Sequence, residues 1–222
     1  MTTLRTLPNP HALTPRALSD ALERRPRRDH PALPGRTNHL RCGVVVPLRW
    51  RPEPEVLVTR RVRTMKHGGE WCFPGGQPKA SDGDLFETAC REGREELGLD
   101  YIQPLGRLTS MPIYTSDYRL EPFVVEVHDS ELVPDPREVE QWQALSLFDA
   151  IALESIEGLP FEWQGEVHYS PLYPMGGSYL FGASAHTFRE LIEVASAIVG
   201  LSAPRVVETA LTWEQILAST RT

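Results

Sequence analysis

Residues 75–99 read GGQPKASDGDLFETACREGREELGL, and the end of that stretch, Arg91-Glu92-Gly93-Arg94-Glu95-Glu96-Leu97-Gly98-Leu99, decides how the rest of the chain is understood. Three glutamates stand at i, i+3 and i+4. At about 100° per residue, Glu92, Glu95 and Glu96 share one face of an α-helix. Carboxylates that close repel by roughly 0.2–0.5 kcal/mol per pair on an isolated helix. A cation between them removes the penalty, and ligand sets made only of oxygen suit hard ions such as Mg2+ or Mn2+. The competing reading is a solvated helix surface decorated with Arg–Glu pairs, which is what charge runs usually are.

The flanks favour the metal reading. Phe73-Pro74-Gly75-Gly76 ends a short apolar run and forces a turn. Ser81 to Asp84 follows as a loop. Asp84 with Glu87 three positions later has the form of a capping box, so the helix is expected to start at Leu85. Leu85, Phe86, Ala89, Cys90 and Leu97 supply its apolar face, and Gly98 fits the left-handed position after its last turn. Strand, glycine turn, loop and acidic helix thus follow one another. Gly93, in the helix interior, should cost up to about 1 kcal/mol relative to alanine, a cost the sequence does not explain unless close packing leaves no room for a side chain.

At these residues the chain resembles the Nudix hydrolase family. Its signature runs glycine, five residues, glutamate, seven residues, Arg-Glu, an aliphatic residue, one residue, Glu-Glu, one residue, glycine, an aliphatic residue. Arg91, Glu92, Glu95, Glu96, Gly98 and Leu99 match its second half. Counting from Gly76, Asp82 stands in place of the first glutamate, eight residues separate it from Arg91, and Gly93 replaces the aliphatic residue. The lengthened, Asp-containing form resembles the branch that hydrolyses coenzyme A and its thioesters. So do Thr59, Arg60, Arg61, His67 and Gly69 ahead of the glycine turn, although the interval from Arg61 to His67 is one residue short. Residues 112–124 and 176–188 are similar to later segments of that branch.

The resemblance implies an α/β (α+β) fold, an α/β/α sandwich with a mixed β-sheet whose acidic helix lines the site. It implies that Glu92, Glu95 and Glu96 hold Mg2+ or Mn2+, and that Arg91 orients the site by pairing with Asp82. Arg60, Arg61, His67, Gly75 and Gly76 are the expected substrate-binding residues. Successive strand residues point to opposite faces, so one of Arg60 and Arg61 can reach a phosphate while the other faces solvent. His67 either contacts substrate or holds its own loop. Tyr114, Tyr118 and Tyr179 either stack on a base or pack in the core. Glu138 and Glu140, before a strand, either add a fourth carboxylate or are exposed turn residues, as most such glutamates are. The implied reaction is hydrolysis of a phosphoanhydride by water. With coenzyme A or an acyl-CoA it yields adenosine 3′,5′-bisphosphate and 4′-phosphopantetheine or its acyl form. The alternatives are a Nudix pyrophosphatase for another nucleoside diphosphate derivative (ADP-ribose, a nucleotide sugar, a dinucleotide) and a non-catalytic nucleotide-sensing domain.

Composition narrows the field. The 222 residues carry a net charge of −7, which argues against broad nucleic-acid binding but not against a phosphorylated small molecule, because bound cations reverse the local sign. No apolar run approaches the roughly 20 residues needed to cross a bilayer. The N-terminus lacks a signal-peptide apolar core, and a cytoplasmic location is the default expectation. Cys42, Cys72 and Cys90 are widely spaced in apolar contexts and read as reduced, buried thiols. Residues 1–37, rich in proline and arginine, are expected to form an arm with a short helix over about 15–24. The resemblance implies a Nudix domain over residues 38–200, with 201–222 expected to be a helical tail packing on it. Strands are expected over 39–49, 56–60, 70–73, 106–111, 121–128 and 142–145, and helices over 148–153, 186–199 and 208–218. Arm and tail could pack within one subunit or across a homodimer.

Overall fold

A computed structural model describes residues 4–26, 29–128 and 131–221. Among them the main sheet has eight strands: β1 (Leu40–Trp50), β2 (Pro54–Arg61), β3 (Trp71–Cys72), β4 (Gly75–Gly76), β5 (Ile102–Arg107), β6 (Met111–Pro112), β7 (Tyr118–Val127) and β8 (Val139–Ser146). Its spine runs β3-β2-β1-β7-β5, with β4 on β1, β6 on β7 and β8 on β2. The sheet is mixed: β1 and β7 are parallel, whereas β1–β2, β2–β8 and β5–β7 are antiparallel.

The alternation of β1 splits the core. Val44, Val46 and Leu48 face one side, with Leu18 and Leu22 of α1 (Pro15–Arg24), Leu147 and Ile151 of α3 (Leu147–Ala152), and Phe188, Leu191 and Ile192 of α4 (Gly182–Ile198). Val45 faces the other, with Leu57, Phe123, Val125 and the apolar residues of α2 (Leu85–Leu97). Helices thus cover both faces, the α/β/α sandwich expected.

Local signals set the helix ends. Thr14 accepts the Ala17 N–H at 3.1 Å with Pro15 opening α1. Asp84 accepts the Glu87 N–H at 2.8 Å, and the Glu87 carboxylate accepts the Gly83 N–H at 2.7 Å. The reciprocal half of the capping box is therefore displaced by one residue. Gly98, at φ 70°, ends α2.

Several expected boundaries move. The strand expected over 106–111 is divided between β5 and β6, and α4 begins at Gly182, a turn earlier than expected. Residues 155–174, to which the sequence reading assigned no strand, hold β9 (Ser155–Trp163), β10 (Glu166–Pro171) and β11 (Tyr173–Pro174), which pairs with β12 (Tyr179–Leu180). Gln164 and Gly165, at φ 52° and 81°, make the two-residue turn between β9 and β10, where right-handed strand twist favours positive φ at both positions. The expected tail contains β13 (Arg205–Glu208), which pairs parallel with β9, before α5 (Trp213–Ser219). Among the described residues no helix is long and apolar enough to cross a membrane.

Candidate active site

The site forms where α2 lies against β1 and β4, and missing side chains allow the approach. A Cβ on Gly43 would sit 2.2 Å from the Leu85 carbonyl oxygen. One on Gly76 would sit 2.5 Å from a Glu92 carboxylate oxygen, and one on Gly75 would strike Val44 at 2.3 Å. The glycine pair therefore serves close approach as well as turning the chain. Gly93 answers to the same geometry: a Cβ there would meet Leu99 and Val45 side-chain atoms at 3.1 Å. Close packing of α2 on β1 thus accounts for the glycine in mid-helix.

Three carboxylates converge. Glu92, Glu96 and Glu138 each offer an oxygen within 4.8 Å of the others. Glu96 is 2 % exposed and accepts the Gly75 N–H at 3.2 Å. Burial pushes its carboxyl up to about 7; the Gly75 bond and the Arg61 guanidinium oppose the rise, and Glu92 and Glu138 add to it. A buried carboxyl among like charges needs a proton or a cation, and a set of carboxylate oxygens fits a hard divalent ion.

Glu138 reaches this place because residues 131–138 fold back onto α2. The Val133 and Asp135 N–H groups donate to the Leu97 and Glu96 carbonyls at 3.0 Å each, capping the helix end, and the Val62 N–H donates to the Glu138 carbonyl at 2.9 Å. Sequence reasoning weighed Glu138 equally with Glu140. Glu140 instead pairs with Arg63 at 3.2 Å and lies 3.8 Å from Arg60. No local pattern distinguishes the two residues.

Glu95, expected as the third ligand, lies outside this cluster. It accepts from Lys79 Nζ at 3.1 Å and from Arg91 at 2.9 Å. Against some burial, those cations hold its carboxyl below the ordinary value. Arg91 is the hub of this side. It donates to Asp82 through Nε and a terminal nitrogen at 3.0–3.3 Å, to Glu92 at 2.6 Å and to the Gln77 carbonyl at 3.0 Å. The Arg91 guanidinium, helped by the Lys79 N–H, holds the Asp82 carboxyl well below the usual carboxylate range. Asp82, which also accepts the Thr88 hydroxyl at 3.0 Å, thus takes the arginine from its longer loop.

Of the other expected residues, Arg61 alone is linked to the cluster among the described residues. Arg61 acts electrostatically on Glu96, and its Nε donates to the Lys66 carbonyl at 3.4 Å. Arg60 donates to the Gly69 carbonyl at 3.1 Å. His67, at φ 61°, has Nδ1 3.1 Å from a Glu70 carboxylate oxygen and Nε2 3.4 Å from the Thr115 hydroxyl. Tyr114 is exposed, whereas Tyr118 and Tyr179 are half-buried. Cys72 lies beside the site, but burial pushes its thiol up to about 11, far from a reactive thiolate at neutral pH.

Comparison with known proteins places the chain in a family. The NUDIX domain model matches residues 39–163. "Uncharacterized Nudix hydrolase NudL" of Yersinia pestis (strain Pestoides F) is 30% identical over 160 residues, covering 70% of this chain and 80% of the relative. The protein of the same name from Yersinia pseudotuberculosis (serotype O:1b, strain IP 31758) matches equally. A MutT/nudix family protein of Enterococcus faecalis superposes with a TM-score of 0.44 at 11% identity, over 80% of this chain and 71% of the other. The chain belongs to the Nudix family. It is a pyrophosphohydrolase acting on acid anhydrides in phosphorus-containing compounds, the linkage found in nucleoside diphosphate derivatives.

Proposed function

We propose that this enzyme hydrolyses the diphosphate of coenzyme A or an acyl-CoA, with Mg2+ or Mn2+ held by Glu92, Glu96 and Glu138. The convergence of these three carboxylates within 4.8 Å carries the catalytic part of the proposal. The substrate rests on the resemblance of Thr59, Arg60, Arg61, His67 and Gly69, with the lengthened loop to Asp82, to the coenzyme A branch. A bound divalent ion would neutralise diphosphate oxygens and acidify a water molecule.

The chain's own groups do the rest. Arg91 grips Glu92 from one side and Asp82 from the other, so the Glu92 carboxylate is held before substrate arrives. Glu95 shares this clamp and acts as an orienting group in this reading, with metal ligation in exchange for its Lys79 contact as the alternative. Arg61 lies on the Glu96 side and is the cation proposed to meet a phosphate oxygen, for which its planar fork is suited. Burial keeps solvent from Glu96, strengthening its interaction with any cation. A water attacks one phosphorus in line, and the phosphate monoester on the far side leaves.

Incubation with coenzyme A, ADP-ribose, NADH and diadenosine polyphosphates, with and without Mg2+ or Mn2+, tests the proposal. The expected result is metal-dependent release of adenosine 3′,5′-bisphosphate from coenzyme A, abolished by EDTA. Preferential cleavage of ADP-ribose would overturn the substrate; undiminished hydrolysis in EDTA would overturn the metal role.

A further inference from the structure

We propose that the turn Thr220–Arg221 is a positioning element for the substrate site: it docks on the 62–70 loop and thereby fixes the guanidinium groups of Arg60 and Arg61. The inference rests on the proposed role of Arg61 at a phosphate and on the substrate-binding role expected of Arg60.

The loop leaves the sheet at the end of β2 and closes on itself. The Gly69 N–H donates to the Arg61 carbonyl at 2.9 Å, and the Arg61 N–H to the Glu70 carbonyl at 3.1 Å. Its backbone is demanding, because His67 lies at φ 61° and Gly69 at φ 80°. Both arginines donate to loop carbonyls, Arg61 to Lys66 and Arg60 to Gly69. Where those carbonyls lie decides where the cations point.

The turn after α5 meets the same loop from outside. A Cβ on Gly69 would sit 2.0 Å from the Thr220 carbonyl oxygen, so the two backbones touch where only glycine fits. Arg63 donates to the Arg221 carbonyl at 2.9 Å while pairing with Glu140 on β8. Thr220 is itself buried, and its hydroxyl donates to the Leu217 carbonyl at 2.8 Å. One helical turn earlier, fully buried Ile216 packs with Leu159 of β9 and with Leu172. The end of α5 and its turn therefore join that core to the Gly69 backbone. Loops carrying such ligands open readily unless something outside them holds them shut.

Removing residues 219–222 breaks the contact and leaves Ile216 in place. The expected result is a rise in KM for the hydrolysed substrate of about tenfold with kcat within about twofold, the signature of lost binding common to ground and transition states. Amide exchange across 62–70 should accelerate in the substrate-free protein while the melting temperature holds. Gly69→Ala tests the same contact from the loop side. Its effect on affinity should be smaller in the truncated chain than in the full one, because the steric partner has gone. Calorimetric titration with coenzyme A and ADP-ribose supplies the affinities independently of turnover. If the full chain hydrolyses neither, the reaction proposed above fails while exchange and binding still judge the turn. Unchanged exchange, unchanged affinity, or a fall in kcat with general loss of stability would each overturn the positioning role.

Discussion

The two faces of the main sheet are built on opposite principles. Toward α4, large side chains interlock: Phe188, Leu191 and Ile192 fill the space above Val44, Val46 and Leu48. Toward α2, the approach depends on absent side chains. Gly43, Gly75 and Gly76 let α2, β1 and the glycine turn approach until carboxylates rest on that turn, and Gly93 leaves room for the Val45 and Leu99 side chains. The α4 face buys stability with volume, and the α2 face uses proximity to aim charges. Substitutions on the first should cost stability and leave the chemistry intact, while those on the second should mainly do the reverse.

Phe188→Ala is the severest test of the α4 face. The side chain is 1 % exposed, and its loss should destabilise by about 3–5 kcal/mol, read from denaturant midpoints at constant slope. Activity per folded molecule should persist.

Glu96→Gln should lower kcat by about a hundredfold or more, with no loss of stability in metal-free buffer. The sign follows from the carboxyl's value of about 7, raised above that of an unfolded chain. Between about pH 4.5 and 7 the folded protein keeps a proton that the unfolded chain has released. This group's contribution is therefore fully present below that window and lost as pH rises through it. Thermal melts from pH 4.5 to 8 should show that decline in the metal-free parent and its absence in Glu96→Gln.

Gly43→Ala would place a methyl 2.2 Å from the Leu85 carbonyl oxygen. Backbone must shift, at a cost of about 1–3 kcal/mol, and kcat should fall as α2 moves from the turn. An unchanged kcat would break the contrast between the faces.

Glu138→Gln should weaken metal affinity and kcat by about tenfold, more than Glu95→Gln, if the converging carboxylates rather than the helical triplet define the site. A Mn2+ titration of both variants ranks them.

Gly93→Ala should be the mildest. The contacts at 3.1 Å are with the side-chain ends of Leu99 and Val45, which can yield slightly. That crowding offsets the helix propensity gained, so the change in stability should stay within about 1 kcal/mol.

How much was legible from sequence follows the reach of each signal. Helix α2 was readable from Leu85 to Gly98 because its cap, apolar spacing and left-handed terminator lie within a few residues of the features they govern. The same holds for α1 between Thr14 and Arg24. The β9–β10 hairpin escaped notice because Gln164-Gly165 lacks the usual asparagine or aspartate before glycine. The strand that pairs with β9, β13, lies 50 residues further on in register, Arg205 opposite Ser155, outside any local window. Gly93 was visible as an anomaly, but only the Val45 and Leu99 side chains give it a cause.

From its order of residues alone, the chain determined the acidic helix, its ends and the shared face of its glutamates, since helix geometry converts spacing directly into direction. Tertiary structure decided which carboxylates meet. Glu95 turns to Lys79 and Arg91, while Glu138 arrives from a loop tied by backbone hydrogen bonds to the end of α2. Such a meeting depends on how the chain returns through space, and no spacing along the sequence encodes that path.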